Sequence, residues 1–491
     1  MLELNKKIAL LVPPVQLEEN YGYLASAAPE LPSLGLAFIA KYLKIKGIKC
    51  DLLDLAADKN IMEHFLTNIK SYALAGMPVF ITTVPNVLTF AEKIKQLNNT
   101  CLVAVGGPHA TLFPEDLLRS NVDIVVMGDG EIPFYHICKN IMAGGNDFST
   151  IKGIYYKYDN NYIYTGPGES VNSLDEIGPP LVEQYNYDCY YPPVHILGKK
   201  VIHTLTARGC PYKCTFCAAA QIMGRKVRVR SVDNVINEIS SYKKQGFDSV
   251  IFYDDSFNII RKRAIELCKN IIKKKINIKW NCFTRTDLVD KEALNYMRDA
   301  GCYLVTFGCE SGNNKTLKLL RKGLTVEKNY RGIELVYEAG MQAASSFMIG
   351  LPGEDYDDIE NSIKFAVQSK LTFAYFPIFE PYKGTPIYNI CKEKGSWIND
   401  ERFKNTLLAN QEEIWVPHGI DRAKIEEYSR KGFVDFYLRP KIIYRIGKNI
   451  ILHLPMDRKM QFINTGLQYF IIKKYLKPSQ AVPKRYGSKF F

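Results

Sequence analysis

Short β-rich runs alternate with stretches of helical period along most of the chain, and that alternation confines it to parallel sheets covered by helices. A first series of strands is expected at Lys7–Pro14, Lys49–Leu55, Val79–Val84, Leu102–Gly106 and Asp123–Met127. Helical spacing marks Leu34–Gly47, Thr89–Leu97 and Pro114–Arg119 between them. This predicts an α/β fold opening with a doubly wound, Rossmann-like sheet, whose ligands sit beyond the carboxyl ends of its strands. Turns rich in glycine and proline fall there: Pro13-Pro14, Thr83-Val84-Pro85, Gly106-Gly107-Pro108-His109 and Gly128-Asp129-Gly130-Glu131. Lys152–Tyr164 reads as a hairpin around Asp159-Asn160-Asn161, and Gly166–Pro193 as a strap. A second series follows, with strands at Val201–Thr206, Ser249–Tyr253, Ile278–Phe283, Tyr303–Phe307, Ala343–Met348 and Thr372–Ile378. Helices start near Val232, Arg261, Lys291, Val326 and Tyr356. Six βα units predict a partial barrel with its chemistry at the strands' carboxyl ends.

The expected division is residues 1–145, a linker with hairpin at 146–196, the barrel at 197–395 and a mainly helical region at 396–491. The net charge of +13 is concentrated at the end. Asp421–Phe491 holds 16 Lys and Arg against 5 Asp and Glu, so the rest of the chain is near neutral. Two amphipathic basic stretches, Lys441–Leu454 and Phe462–Lys477, read as a helical cap on the barrel, with contact to an anionic membrane surface as the functional alternative. Nucleic-acid binding ranks below both. No apolar run of about 18 residues predicts a spanning helix. The start lacks a long apolar segment, and with unpaired cysteines this predicts a reducing cytoplasm, peripheral to membrane at most.

Three of the 12 cysteines stand apart: Cys210, Cys214 and Cys217, at C-x3-C-x2-C spacing directly after an apolar strand. The other nine are scattered singly, most of them as small buried hydrophobes. A cubane iron–sulfur cluster normally takes four thiolates, so three leave one iron open. Zinc with His203 or His195 as a fourth ligand is the competing assignment; a disulfide is the weakest.

This spacing resembles that of the radical S-adenosylmethionine superfamily. The resemblance implies a 4Fe-4S cluster whose open iron chelates the methionine moiety of S-adenosylmethionine, and reductive cleavage to a 5′-deoxyadenosyl radical. It also implies cofactor roles at the strand ends. Phe216 borders the adenine; Tyr253, Asp254 and Asp255 receive the ammonium; Arg285 suits the carboxylate. Glu310 accepts from ribose hydroxyls or the ammonium, and Gly350 leaves room for adenine. Lys322 reads instead as a solvated helix end, and Cys309 as a buried small residue. The first series, roughly Lys7–Met142, resembles the cobalamin-binding domain joined to many such enzymes. That implies cobalamin contacts at Thr83, Pro85, Gly106, Gly107, Pro108, His109 and Gly128, although a structural role suits His109 better. The loop Val15–Tyr23 lacks the histidine that ligates cobalt in D-x-H-x-x-G domains.

The implied activity is that of a class B radical methylase: a cobalamin-dependent enzyme that methylates an unactivated carbon of a small or lipid-like substrate through methylcobalamin. It would draw on an external low-potential electron donor. A radical oxidative cyclase or rearranging oxidoreductase with the same cofactors, and a non-enzymatic sensor, are the alternatives.

Overall fold

Two parallel sheets faced by helices organise the chain in the computed structural model, which describes residues 6–14, 31–119, 121–190, 192–193, 195–399 and 413–453. In the first sheet β1 (Lys7–Val12), β2 (Asp51–Asp54), β3 (Tyr72–Pro78), β4 (Leu102–Gly106) and β5 (Ile124–Val126) run parallel in the order β2-β1-β3-β4-β5. Alternate side chains enter two cores. Ile8, Leu10, Leu74, Ala104 and Ile124 face one, and Ala9, Leu11, Ala75, Val103 and Val125 the other. Burial on both faces explains why these strands read as unbroken apolar runs. A methyl on Gly76 would lie 2.7 Å from the Phe134 ring, so the helix Glu131–Met142 packs against β3 only where a side chain is missing.

Two expectations need correcting. The strand expected at Val79–Val84 lies earlier, at Tyr72–Pro78, and the β-branched run Ile81–Thr83 is a 3-10 turn leading into the helix Val84–Leu97. Tertiary burial of the weakly β-forming Tyr-Ala-Leu-Ala-Gly-Met segment outweighs propensity. The hairpin at 152–164 forms as β6 (Ile154–Tyr158) and β7 (Asn161–Tyr164), with Asp159 and Asn160 at φ 44° and 63° in the two-residue turn. It pairs antiparallel with β5 and so completes the first sheet instead of standing apart as a linker.

The second sheet starts at β8 (Val201–Thr204); the short antiparallel pair β9 (Ala207–Arg208) and β10 (Arg228–Val229) forms a two-stranded sheet of its own, and β11 (Ser249–Phe252), β12 (Lys279–Thr284), β13 (Cys302–Glu310), β14 (Gln342–Phe347) and β15 (Phe373–Tyr375) continue the second sheet. Its order, β8-β11-β12-β13-β14-β15, follows the sequence, and every pairing is parallel. Helices begin at Val232, Arg261, Lys291, Val326 and Tyr356, as expected. Ser231, Asp290, Thr325 and Asp355 cap four of them by accepting from first-turn amides. Phe252, Trp280, Phe307 and Phe347 pack outward beneath the helices, while Val201, Ile251, Leu304, Ala344 and Phe373 fill the inside.

The hairpin β16 (Gly395–Asn399) and β17 (Glu413–Pro417) and the helices Arg422–Tyr437 and Pro440–His453 complete the described chain. The stretch Phe462–Lys477 and the loop Val15–Tyr23 lie outside the described residues. Among the described residues no helix is long and apolar enough to cross a membrane.

Candidate functional site

The turn from β8 into β9 delivers the chain to Cys210, and it is gripped from the end of β11. The Asp254 carboxylate, 1% exposed, accepts from the Thr206 amide (2.5 Å), the Thr206 hydroxyl and the Ala207 amide (3.1 Å). Arg263 donates to the Thr206 hydroxyl and carbonyl, both at 3.1 Å. Asp254 is thus committed to the chain, and it is its neighbour Asp255 that stands exposed, with no ion-pair partner among the described residues. Gly209 has φ +99°, and a methyl there would sit 2.4 Å from the Lys226 carbonyl oxygen. Thr215, between Cys214 and Cys217, is buried; its amide donates to the Leu320 carbonyl (2.9 Å) and its carbonyl accepts from Ile387 (3.0 Å). The Cys217 sulfur accepts from the Ala219 amide at 3.4 Å.

All twelve cysteines are free thiols, and seven of the nine outside the motif are buried, Cys309 among them. Among the described residues no three His, Cys, Asp or Glu are gathered closely enough for a single ion. His195 is 3.0 Å from the Tyr375 hydroxyl, and His203 packs edge-to-face on Tyr253. Three free thiols carried on one loop fit an iron–sulfur cluster with one open iron.

The other strand ends converge on this loop. Tyr253 stacks on Phe283 with ring centroids 5.3 Å apart. Arg285 grips Asp287 with two bonds of 2.9 Å, donates to the Lys322 carbonyl (2.9 Å) and lies 3.8 Å over the Tyr212 ring. Its fork is therefore already occupied in part. Glu310, at φ +67°, accepts from Lys322 Nζ (2.8 Å) and from Ser346 Oγ (3.2 Å). Lys322 is 8% exposed, not a solvated helix end, and its ammonium lies 5.5 Å from the Phe216 ring. Gly350 does not open toward the loop: its missing Cβ would meet Ile425 of the helix Arg422–Tyr437 at 3.1 Å.

A cavity of about 680 Å³ opens at the carboxyl ends of β1, β3, β4 and β5. That is where the strand order reverses, the usual ligand position of such a sheet. Thr83, Gly106, Gly107, Pro108 and Gly128 line it. Pro85 and His109 are not among its lining residues. His109 is buried with Nε2 3.0 Å from Asp116 and its ring against Phe113, and burial lowers its pKa. The opposite wall comes from the second sheet: His203, Leu205, Arg208, Ile222, Met223 and Tyr253. The wall is mainly apolar, with positive-φ glycines where the backbone comes close, and it fits a large, flat, uncharged group.

An ion network closes this wall. Arg208 reaches Asp129 (3.3 Å) and Glu131 (2.6 Å), and Arg228 reaches Asp129 at 2.5 Å. Burial pushes the Asp129 carboxyl up, but Arg228 and Arg208 outweigh it and hold it below the usual range. The sequence reading passed over both arginines. The signal available was Arg208 beside Gly209-Cys210 and two carboxylates in the Gly128–Glu131 turn.

Residues 21–137 match the B12 binding domain family, and residues 204–366 match the Radical SAM superfamily. An uncharacterized methyltransferase of Pyrococcus horikoshii is 27% identical over 89% of this chain and 94% of its own. The anaerobic magnesium-protoporphyrin IX monomethyl ester cyclase of Rubrivivax gelatinosus is 27% identical over 84% of this chain and 75% of its own. In fold, the chain is similar to the radical S-adenosylmethionine methyltransferase TsrM of Kitasatospora setae, solved with cobalamin and a 4Fe-4S cluster bound. The TM-score is 0.69 at 18% identity, over 89% of this chain and 90% of that one. The chain thus carries a B12-binding domain followed by a radical S-adenosylmethionine domain.

Proposed function

We propose that the chain is a cobalamin-dependent radical S-adenosylmethionine enzyme that methylates an unactivated carbon of a small or lipid-like substrate. The observation that carries this reading is the cavity walled on one side by the glycine turns of the first sheet and on the other by the strand leading into Cys210. Bound there, the cofactors supply a methyl carrier and, by reductive cleavage of S-adenosylmethionine with an electron from an external donor, a hydrogen-abstracting radical.

The chain's own residues bind, orient and exclude water. Cys210, Cys214 and Cys217 hold the cluster, with Asp254 and Arg263 fixing the turn before them. Asp255 receives the methionine ammonium, and Phe216 and the Glu310–Lys322 pair flank the nucleoside. Thr83, Gly106, Gly107, Pro108 and Gly128 hold the corrin and its tail. Tyr253, stacked on Phe283, supplies an aromatic face to the cavity wall on the side of the second sheet.

Methyl-labelled S-adenosylmethionine tests the reading: label enters the product of a methylase and stays out of that of a cyclase, the second reading, favoured by the cyclase relative. Formation of 5′-deoxyadenosine under anaerobic reduction separates both from a sensor. Cys214→Ala is expected to abolish that cleavage and leave cobalamin bound; retained cleavage overturns the cluster assignment. Exposed Phe433, Leu438, Ile443 and Tyr444, near Lys441, support peripheral contact with an anionic membrane. Co-sedimentation with phosphatidylserine vesicles, lost at high salt, is the expected result.

A further inference from the structure

His203, on β8, is 7% exposed and lines the cavity shared by the two domains. Its Nδ1 is buried with no hydrogen-bond partner among the described residues. The Pro32 carbonyl, also on the cavity wall, lies near enough to raise the ring's pKa, and with Nδ1 unpartnered it suits a proton carried on Nε2. Burial lowers the imidazole pKa to about 4, so the ring is neutral. A neutral imidazole with its proton on Nε2 presents a bare lone pair at Nδ1, an acceptor and not a donor.

The buried carboxylates of the wall are matched. Asp54 accepts from the Tyr190 hydroxyl (2.8 Å) and from the Ala56 and Ala57 amides (3.1 Å each). Asp129 and Glu131 are matched by Arg208 and Arg228. Among the described lining residues, Nδ1 of His203 is the one buried side-chain polar atom left without a partner. A buried acceptor left unmet is destabilising, so such an atom marks a place for a donor from a ligand. The surroundings offer no free carboxylate to a cation, and Tyr253 packs edge-on against the ring at 5.5 Å. The complementary group is an uncharged N–H donor at the rim of a large flat molecule.

A corrin carries primary carboxamides around its periphery, and these are donors of that kind. We propose that His203 positions cobalamin: its Nδ1 accepts a hydrogen bond from a peripheral carboxamide N–H and ties the edge of the corrin to the barrel. This rests on the cobalamin reading above. It makes His203 a positioning residue without direct ligation of cobalt.

The test is hydroxocobalamin titration of the full chain, reconstituted anaerobically with iron and sulfide, followed by visible absorption and equilibrium dialysis. His203→Phe keeps the ring against Tyr253 and removes the acceptor. His203→Asn places an amide oxygen near the position of Nδ1. The Phe variant is expected to bind hydroxocobalamin about tenfold more weakly, the equivalent of one net hydrogen bond, and the Asn variant within about threefold of the parent. A Phe variant that binds within twofold overturns the proposal. So does an Asn variant that binds as weakly as the Phe variant while melting like the parent. Cob(II)alamin electron paramagnetic resonance spectra of the parent and of His203→Asn give a second measurement, independent of affinity. Nitrogen superhyperfine splitting lost in His203→Asn means direct ligation and overturns the proposal. If the parent itself binds no hydroxocobalamin, the proposed function fails along with this inference.

Discussion

Lys322 and Glu310 are both under 9% exposed, and each owes its tolerable burial to the other across 2.8 Å. Removing one partner of such a pair leaves an uncompensated charge in the interior, at a cost of about 3–5 kcal/mol, whereas removing both is far milder. Lys322→Met is therefore expected to lower unfolding stability by roughly 3 kcal/mol in urea denaturation, and adding Glu310→Gln to restore most of it. A bulge in β13 between Gly308 and Glu310 aims the carboxylate, and a methyl on Gly308 would lie 2.1 Å from its oxygen. Nothing local in Leu319–Gly323 betrays this pairing, which is why the lysine reads as solvated from sequence. Glu354 carries a different consequence. Burial pushes its carboxyl up to about 8, although the Leu351 and Gly350 amides pull it down. The folded chain then keeps a proton that the unfolded chain releases at the ordinary carboxylate pKa. Its stabilising contribution is complete below that pKa and is lost as pH rises through about 8. The slope in that window is up to about 1.4 kcal/mol per pH unit. Glu354→Gln should flatten the decline of melting temperature between about pH 5 and 8.

The loop that carries the cysteines shows the same balance at the level of an element. Gly209 combines a left-handed φ with a carbonyl 2.4 Å from where a Cβ would stand, so Gly209→Ala must push β9 and the first cysteine apart from Lys226. The expected outcome is iron content below half that of the parent after reconstitution, with an unchanged far-ultraviolet circular dichroism spectrum; full iron loading would sink the argument. Most elements could be placed from sequence because apolar period and capping residues are local signals. Ser231, Asp290, Thr325 and Asp355 each announce a helix that starts one residue later. β3 could not be, since Tyr72–Pro78 has little β-propensity and becomes a strand through burial on both faces. At the site, the cysteines and the strand-end carboxylates were legible, because chemistry-bearing residues at βα ends follow from topology. Which carboxylate faces outward was not. Asp254 and Asp255 are neighbours of the same type, and only the return of Thr206 from β8 decides that Asp254 turns inward.

At the scale of the whole molecule, the reading requires two cofactors to face one substrate, so the placement of one domain on the other is itself part of the active site. The Arg208–Asp129–Glu131–Arg228 network is built for that placement, since it joins the β5 turn of the first sheet to the residue preceding Gly209-Cys210. Arg208 also lies 5.2 Å over the Phe38 ring, adding an apolar contact to the charged ones. Arg208→Met leaves Arg228 on Asp129 but strands Glu131, which is 3% exposed, and adding Glu131→Gln removes that unpaired charge. The double variant should keep both domains folded and still form 5′-deoxyadenosine, because the cluster loop's other anchors at Thr206, Thr215 and Gly209 remain. Transfer between reacting groups is far more sensitive, since a displacement of about 1 Å costs on the order of a hundredfold. Label transfer from methyl-labelled S-adenosylmethionine should therefore fall at least about tenfold while cleavage stays within about threefold of the parent, an uncoupling that loss of stability alone does not produce. Cleavage and transfer falling together, in step with a lower melting temperature, would instead make the network a stabilising contact and leave the spacing of the two cofactors to be set elsewhere.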